Sequence, residues 1–142
     1  MKRILIVEDN TNNRQLIALV LEFHGYETIQ AMNGQQAILA AKSRHPDLIL
    51  MDISMPVLNG LDATRKIKQD STVAHIPVVA MSVYDTEQDR QAVQDAGCLE
   101  LLVKPIDISK LKSCIETTIA QYGKPAALNA PQSIQPQQLP NR

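Results

Sequence analysis

Three acidic residues follow two short apolar runs and are the first candidates for chemistry in this sequence. Glu8 and Asp9 come directly after one run of aliphatic residues, and Asp52 comes directly after another. Such runs are typical of strands buried on both faces of a parallel sheet. Ligands bind at the carboxyl ends of such strands, so we expect the three carboxylates to meet there. Their mutual repulsion predicts a bound hard cation with oxygen ligands, Mg²⁺ above all.

Two further polar side chains fall at the same predicted edge of the sheet. Ser82 ends the fourth apolar run, and Lys104 follows the fifth. A carboxylate can accept a phosphoryl group, and phosphoryl transfer needs in-line positioning and charge neutralisation more than covalent help. A metal ion on one side, the Lys104 ammonium on the other and the Ser82 hydroxyl would provide these. The set therefore predicts a phosphorylatable aspartate in this crevice.

The elements that must position these residues alternate regularly along the chain. Apolar runs are separated by amphipathic segments, a pattern typical of βα units. We predict strands over residues 3–8, 26–31, 47–52, 78–82 and 99–103, each followed by a helix. The fold class is therefore α/β, with a five-stranded parallel sheet in the flavodoxin-like order 2-1-3-4-5, doubly wound by five helices.

Capping signals and apolar spacing locate the helices. Asn33 and Asp85 each precede a helical segment and have a glutamine three residues later, a spacing typical of capping boxes. Asp107 is expected to cap the last helix. Apolar residues recur at helical spacing in the first and last helices. They are Leu16, Ile17, Leu19, Val20 and Phe23 in the first helix and Ile108, Leu111, Ile115 and Ile119 in the last.

Composition limits the protein's class and partners. The chain has 142 residues, of which 44% are hydrophobic, enough for one well-packed domain. A net charge of −1 gives no electrostatic case for binding nucleic acid, and no apolar run approaches a membrane span. Without a signal-peptide pattern, and with Cys98 and Cys114 lacking metal or redox spacing, we expect reduced thiols in a cytoplasmic protein. We predict a domain over residues 1–122 and a disordered, Pro/Gln-rich tail over residues 123–142.

Four stretches together resemble one protein family. They are residues 4–10 (ILIVEDN), 46–60 (PDLILMDISMPVLNG), 76–82 (IPVVAMS) and 96–105 (AGCLELLVKP). In this order and spacing they resemble the receiver domain of response regulators in two-component signalling. The resemblance covers nearly all of residues 1–122 and is strongest to stand-alone receivers.

The resemblance implies a role for each acidic candidate. Asp52 matches the phosphoacceptor of the family. Glu8 and Asp9 match the acidic pair that holds Mg²⁺ together with Asp52. The backbone carbonyl of Ser54 matches a further metal ligand.

The resemblance also covers the other side of the crevice. Ser82 matches the family's hydroxyl position and Lys104 its lysine, so the Lys104–Pro105 bond is expected to be cis. One position departs from the family, which usually has Tyr or Phe three residues before the lysine. This chain has Leu101 there. Because leucine has no phenol to present at the surface, we expect the output switch to be built differently.

The implied function is a signalling switch. Asp52 would accept a phosphoryl group from a histidine kinase or a histidine phosphotransfer protein, and the chain would then signal to a downstream target protein. It would not be an enzyme, apart from assisting its own phosphotransfer and slow dephosphorylation. Two alternatives stay open: an Asp-nucleophile phosphatase or phosphotransferase, and a receiver-like interaction module that is never phosphorylated. Such phosphatases carry a second Asp two residues after the nucleophile, where this chain has Ser54. The complete five-residue site argues against the inert module.

Overall fold

The computed structural model describes residues 1–55 and 58–122, in which five strands alternate with five helices. The strands are β1 (Arg3–Val7), β2 (Glu27–Ala31), β3 (Leu48–Asp52), β4 (Val78–Ser82) and β5 (Glu100–Val103). The helices are α1 (Thr11–Phe23), α2 (Gly34–Arg44), α3 (Gly60–Gln69), α4 (Glu87–Ala96) and α5 (Ile108–Tyr122). Every predicted strand is present, four of them one residue shorter than predicted. The predicted tail over residues 123–142 lies outside the described residues.

All strand pairs are parallel, and the strand order is β2-β1-β3-β4-β5, so the predicted fold class is confirmed. Val7 at the end of β1 pairs with Met51 of β3, and Asp52 pairs with Met81 of β4. The carboxyl ends of the three central strands therefore lie side by side at one edge of the sheet.

Helices cover both faces of the sheet and bury β3 and β4 completely. Successive side chains of a strand point to opposite faces, so β1, β3, β4 and β5 each contribute to two cores. Leu5 and Ile49 lie in the core beneath α2 and α3, whereas Ile4 and Leu48 lie in the core beneath α1 and α5. Burial on both faces explains why the three central strands are mainly apolar runs, whereas the edge strand β2 alternates.

Asparagine side chains cap the first three helices. Asn10, Asn33 and Asn59 each accept a hydrogen bond from the backbone amide three residues later. Half of the capping box predicted for Asn33 is present, since Asn33 accepts a hydrogen bond from the Gln36 amide. The Gln36 side chain accepts its hydrogen bond from the Met32 amide instead of from the Asn33 amide. These caps fix where the chain turns after leaving the carboxyl ends of β1, β2 and β3.

The cap of α4 differs from the predicted one by a single residue. Thr86 accepts a hydrogen bond from the Asp89 amide, and the Asp89 carboxylate accepts one from the Thr86 amide. The predicted pairing of Asp85 with Gln88 is wrong because Asp85 instead forms an ion pair with Arg90. Both interactions hold the loop between β4 and α4 against the start of the helix.

The buried face of α1 is not the one with the largest apolar residues. Its buried residues are Arg14, Ala18 and Leu21, at the spacing i, i+4 and i+7. Three of the predicted apolar positions point outward instead. Their exposed fractions are 60% for Leu16, 65% for Leu19 and 86% for Phe23. The outer face of α1 is therefore an apolar stripe.

The last helix packs largely as predicted. Leu111 and Ile115 are buried, and Ile119 is half-buried. Ile108 is exposed, so its predicted burial is wrong, and Thr118 occupies a buried position instead. Asp107 caps the helix by accepting a hydrogen bond from the Lys110 amide at 3.1 Å.

Neither cysteine forms a disulfide. Cys98 is buried and Cys114 is half-buried. Burial raises the pKa of both thiols, which keeps them protonated and unreactive. Within residues 1–55 and 58–122, no helix has the length and apolar character that a membrane span requires.

Candidate functional site

The three predicted carboxylates meet at the carboxyl edge of the sheet. Glu8 and Asp9 follow β1, and Asp52 is the last residue of the neighbouring strand β3. One oxygen of each lies within 4.8 Å of one oxygen of the others. Glu8 and Asp52 are buried, whereas Asp9 is exposed. The cluster is therefore buried at Glu8 and Asp52 and open to solvent at Asp9.

The chemistry of this donor set fits a hard divalent cation. Carboxylate oxygens are the preferred ligands of Mg²⁺, which usually takes one or two carboxylates and keeps several waters. Asp9 is the solvent-facing member of the cluster, so an ion bound there could retain water ligands. Three like charges at this separation repel one another unless a cation is bound.

Lys104 supplies one compensating charge from the end of β5. Its Nζ lies 2.7 Å from Glu8 Oε1 and 3.2 Å from Asp52 Oδ2. Burial of the ammonium by itself lowers the pKa of Lys104, but the hydrogen bond to Glu8 and the charges of Asp52 and Glu8 outweigh it. The net effect is a raised pKa. The ammonium is thus firmly protonated beside the proposed acceptor.

Backbone amides hold the remaining carboxylate oxygens. Glu8 Oε2 accepts a hydrogen bond from the Asn10 amide at 3.1 Å, and Asp52 Oδ1 accepts one from the Ser54 amide at 3.0 Å. Each side chain therefore has one oxygen on a backbone amide and the other on Lys104. The predicted role of the Ser54 carbonyl as a metal ligand stays a prediction.

Ser82 is buried at the end of β4, next to the strand that carries Asp52. Its carbonyl accepts a hydrogen bond from the Lys104 amide at 2.7 Å, which ties the residue after β5 to the end of β4. Its Oγ accepts a hydrogen bond from the Tyr84 amide at 3.0 Å, which leaves the hydroxyl hydrogen available for donation. The structure thus brings all five predicted side chains to one edge of the sheet.

A glycine of α3 fits directly behind the proposed acceptor. A Cβ added to Gly60 would lie 2.2 Å from the Asp52 carbonyl oxygen and 2.7 Å from the Ile53 Cα. Real Cβ atoms do not approach backbone atoms that closely. The absence of a side chain at residue 60 therefore lets the start of α3 press against the end of β3.

Sequence reasoning missed one charged residue next to this site. Arg14 is buried on α1, and its Nη1 donates a hydrogen bond to the Glu8 carbonyl at 3.0 Å. Its Nε donates to Gln30 Oε1 on β2, also at 3.0 Å. The only signal in the sequence is the i, i+4, i+7 face that Arg14 shares with Ala18 and Leu21.

An open groove of about 470 Å³ adjoins the cluster, between α1 and α5. Glu8 and Lys104 of the site form part of its lining, and the remainder is mostly apolar. We call this the α1–α5 groove. Its apolar lining includes Leu16, Ile17, Val20, Val83, Ile106 and Ile108.

One further expectation from the resemblance is confirmed, and the structure shows where Leu101 lies. The Lys104–Pro105 peptide bond is cis, as expected. Leu101 is buried in the core that also contains Val93 and Cys98. This position therefore contributes to the core rather than to the outer surface of β5.

The chain matches one family model and several curated proteins. The model of the response regulator receiver domain matches residues 4–116. The polar-differentiation response regulators DivK of Brucella ovis and Brucella anthropi are each 38% identical to it over 116 residues. That stretch covers 82% of this chain and 94% of each relative.

Solved structures have the same fold. Chemotaxis protein CheY4 of Vibrio cholerae superposes with a TM-score of 0.79 at 26% identity, covering 82% of this chain and 98% of that protein. The receiver domain of the sensor histidine kinase PA1611 from Pseudomonas aeruginosa superposes with a TM-score of 0.78 at 33% identity, covering 84% and 98%. In the PA1611 receiver domain a magnesium ion is coordinated in the active-site cleft.

Proposed function

The chain belongs to the response regulator receiver domain family, and from that membership we propose that it accepts a phosphoryl group on Asp52 and signals through phosphorylation-dependent protein contacts. One observation carries the proposal. Asp52 shares a carboxylate cluster with Glu8 and Asp9, and its Oδ2 lies 3.2 Å from the Lys104 ammonium. A nucleophilic carboxylate flanked by a cation site and a fixed ammonium suits phosphoryl transfer.

In the proposed step, a carboxylate oxygen of Asp52 attacks the phosphorus of a phosphohistidine. The bond from phosphorus to the imidazole nitrogen breaks as the new P–O bond forms. The histidine is released as neutral imidazole after its nitrogen takes up a proton, and Asp52 becomes an acyl phosphate. Lys104 neutralises charge on the phosphoryl oxygens, and the Ser82 hydroxyl donates a hydrogen bond to one of them.

The proposed metal is Mg²⁺, held by Glu8, Asp9, Asp52 and the backbone carbonyl of Ser54. When bound, it supplies charge neutralisation for the carboxylates and for the phosphoryl oxygens. The PA1611 receiver domain, which holds magnesium in its cleft, supports this choice.

The proposed phosphodonor is a protein, either a histidine kinase or a histidine phosphotransfer protein. Apolar side chains line the α1–α5 groove, and Leu16, Val83 and Ile108 there are more than half exposed. A small phosphodonor would not need such a surface, whereas an amphipathic helix carrying the histidine could place its apolar face in it. The proposed output is a contact with a downstream target protein.

We do not propose that the chain catalyses repeated hydrolysis of a phosphorylated substrate. Asp-nucleophile phosphatases use a second carboxylic acid two residues after the nucleophile, and this chain has Ser54 there. A serine hydroxyl has no pKa near neutrality with which to act as general acid or base. We therefore propose a phosphoacceptor rather than an enzyme. We also place it in the cytosol, a location supported by its unpaired thiols.

The test is incubation with acetyl phosphate and Mg²⁺, followed by intact-mass measurement and an assay for free phosphate. We expect a gain of one phosphoryl group per wild-type chain and none for Asp52→Asn. Asp62→Asn, which removes an exposed carboxylate of α3, should label like wild type. Continuous release of phosphate without a mass gain would indicate the phosphatase. The absence of both phosphate release and a mass gain would indicate the inert module. Label retained by Asp52→Asn would show that another residue is the acceptor.

A further inference from the structure

We propose that Arg14 is a positioning residue that orients the peptide unit between Glu8 and Asp9 and thereby sets the affinity of the cluster for Mg²⁺. The inference rests on the proposed function in that it assumes the cluster holds the metal. It goes beyond that function by giving a role to a side chain that belongs neither to the cluster nor to the lining of the α1–α5 groove.

Arg14 connects three parts of the fold. It belongs to α1, its Nη1 bonds to the Glu8 carbonyl that follows β1, and its Nε bonds to Gln30 of β2. A guanidinium is planar and its donors have a fixed arrangement, so the two hydrogen bonds define one relative position of these parts. The Glu8 amide is also held, by donating to the Ala31 carbonyl at 3.1 Å. The main chain of Glu8 is thus anchored at both its amide and its carbonyl.

The carbonyl that Arg14 holds lies between two proposed metal ligands. Because the peptide unit is planar, fixing the Glu8 oxygen also fixes the direction in which the chain enters Asp9. Within residues 1–55 and 58–122, the Asp9 carboxylate takes part in no hydrogen bond or ion pair. Its direction is therefore set through the main chain, and Arg14 is the side chain that holds that main chain.

The direction in which Mg²⁺ affinity changes when Arg14 is removed distinguishes a positioning role from a purely electrostatic one. The Arg14 guanidinium carries a positive charge, and the two oxygens that accept its hydrogen bonds are neutral. A nearby cation repels Mg²⁺, so if charge were its only influence, removing it would tighten Mg²⁺ binding. Positioning predicts the opposite, because a misdirected Asp9 is a poorer ligand.

The experiment measures Mg²⁺ affinity by calorimetric titration of the full chain. We expect Arg14→Met to bind Mg²⁺ ~10-fold or more weakly than wild type, the scale of loss seen when residues that orient metal ligands are removed. Arg14→Lys should also bind more weakly, since one ammonium cannot reproduce the guanidinium fork. Arg65→Met removes an exposed arginine that pairs with Asp62. It should keep wild-type affinity.

Thermal melts without Mg²⁺ provide the second readout. A role in folding alone would lower the midpoint of Arg14→Met and leave Mg²⁺ affinity unchanged. Unchanged or tighter binding in that variant overturns the inference, as does a wild type that binds no Mg²⁺. Should Arg14→Met fail to fold, Gln30→Leu removes only the strand anchor of Arg14. Weaker Mg²⁺ binding then supports the inference, and wild-type affinity overturns it.

The gain in intact mass on phosphorylation tests the proposed function separately from the role of Arg14. Wild-type protein that binds Mg²⁺ but gains no phosphoryl group would overturn the proposed function. A loss of Mg²⁺ affinity in Arg14→Met would still support the role of Arg14.

Discussion

Lys104 and Glu8 form the shorter of the two ion pairs in the site, with Nζ 2.7 Å from Oε1, although 96 positions separate them in the chain. The carboxylate of Asp52 lies farther from the same nitrogen, at 3.2 Å. In the unphosphorylated protein the ammonium is thus held mainly by Glu8. A phosphoryl group on Asp52 would add negative charge and compete for it. Glu8 is therefore the partner with which the proposed phosphoryl group would have to compete for Lys104.

The raised pKa of Lys104 predicts a loss of stability at alkaline pH. A raised pKa means that the folded protein binds the proton more tightly than the unfolded one. This stabilisation is fully present below the ordinary value of 10.5 and is lost as pH rises through the higher pKa of the folded state. The difference in unfolding free energy between wild type and Lys104→Met should therefore shrink above about pH 10.

Denaturant titrations across this alkaline range provide the measurement. Lys42→Met removes an exposed lysine that pairs with Asp70 and serves as the control. A wild-type-to-Lys104→Met difference that stays constant up to the highest pH would contradict the prediction.

Mg²⁺ should stabilise the folded protein. At a free concentration 100 times its dissociation constant, a ligand that binds only the folded state adds about 2.7 kcal/mol to the unfolding free energy. Asp9→Asn should change both the stability without metal and the response to Mg²⁺. Its metal-free melting midpoint should rise because one of three clustered like charges is gone, and its gain from Mg²⁺ should largely disappear. Equal midpoints for wild type with and without saturating Mg²⁺ would rule out the metal site.

The α1–α5 groove should matter for a protein donor and not for a small one. Leu16→Glu places a charge on its exposed apolar wall and should slow phosphotransfer from the cognate phosphohistidine protein by about tenfold or more, the loss expected for an interface anchor. Labelling by acetyl phosphate should be unchanged. Leu39→Glu alters a comparably exposed leucine of α2 that does not line the groove. Equal slowing with both donors would indicate damage to the site rather than to docking.

Leu101 should make the output switch differ from one built on an aromatic residue. Because Leu101 is already buried, Leu101→Tyr overpacks the core and should cost about 1–3 kcal/mol of unfolding free energy. The tyrosine ring is larger than the leucine side chain, so its two placements should differ more in energy between the unphosphorylated and phosphorylated conformations. Amide chemical shifts with and without a phosphate mimic should then change more across β5 in Leu101→Tyr than in wild type. A full shift across β5 in wild type, not enlarged in the variant, would count against this.

Much of the site could be predicted because its members sit at strand ends. In a parallel sheet the order of strands is limited by right-handed connections, so Asp52 and Lys104 can be assigned to one edge from their places after apolar runs. Arg14 could not be found this way. Its partners are a backbone carbonyl and the Gln30 side chain on another strand, and neither contact leaves a local pattern.

The orientation of α1 shows a second limit. Leu16, Leu19 and Phe23 dominate any count of apolar spacing, yet all three face outward. Ala18 lies on the buried face instead. Its small side chain allows the helix to approach the sheet closely, and packing distance does not appear in an apolar pattern. Ile108 at the start of α5 also shares the apolar spacing of its helix and is nevertheless exposed.

Gly60 gives the chain an unusual mutational profile at one position. The nearest obstacles to a side chain there are backbone atoms of Asp52 and Ile53, which the first carbon of any substituent would meet. Alanine, serine and leucine should therefore be excluded almost equally, regardless of volume or polarity. At Gly97 the atoms nearest to an added Cβ belong to the flexible side chain of Lys68. The main obstacle to a substitution is therefore the positive φ angle of Gly97 itself, +107°. In a saturation library, asparagine at residue 97 should therefore be tolerated more often than any non-glycine residue at residue 60.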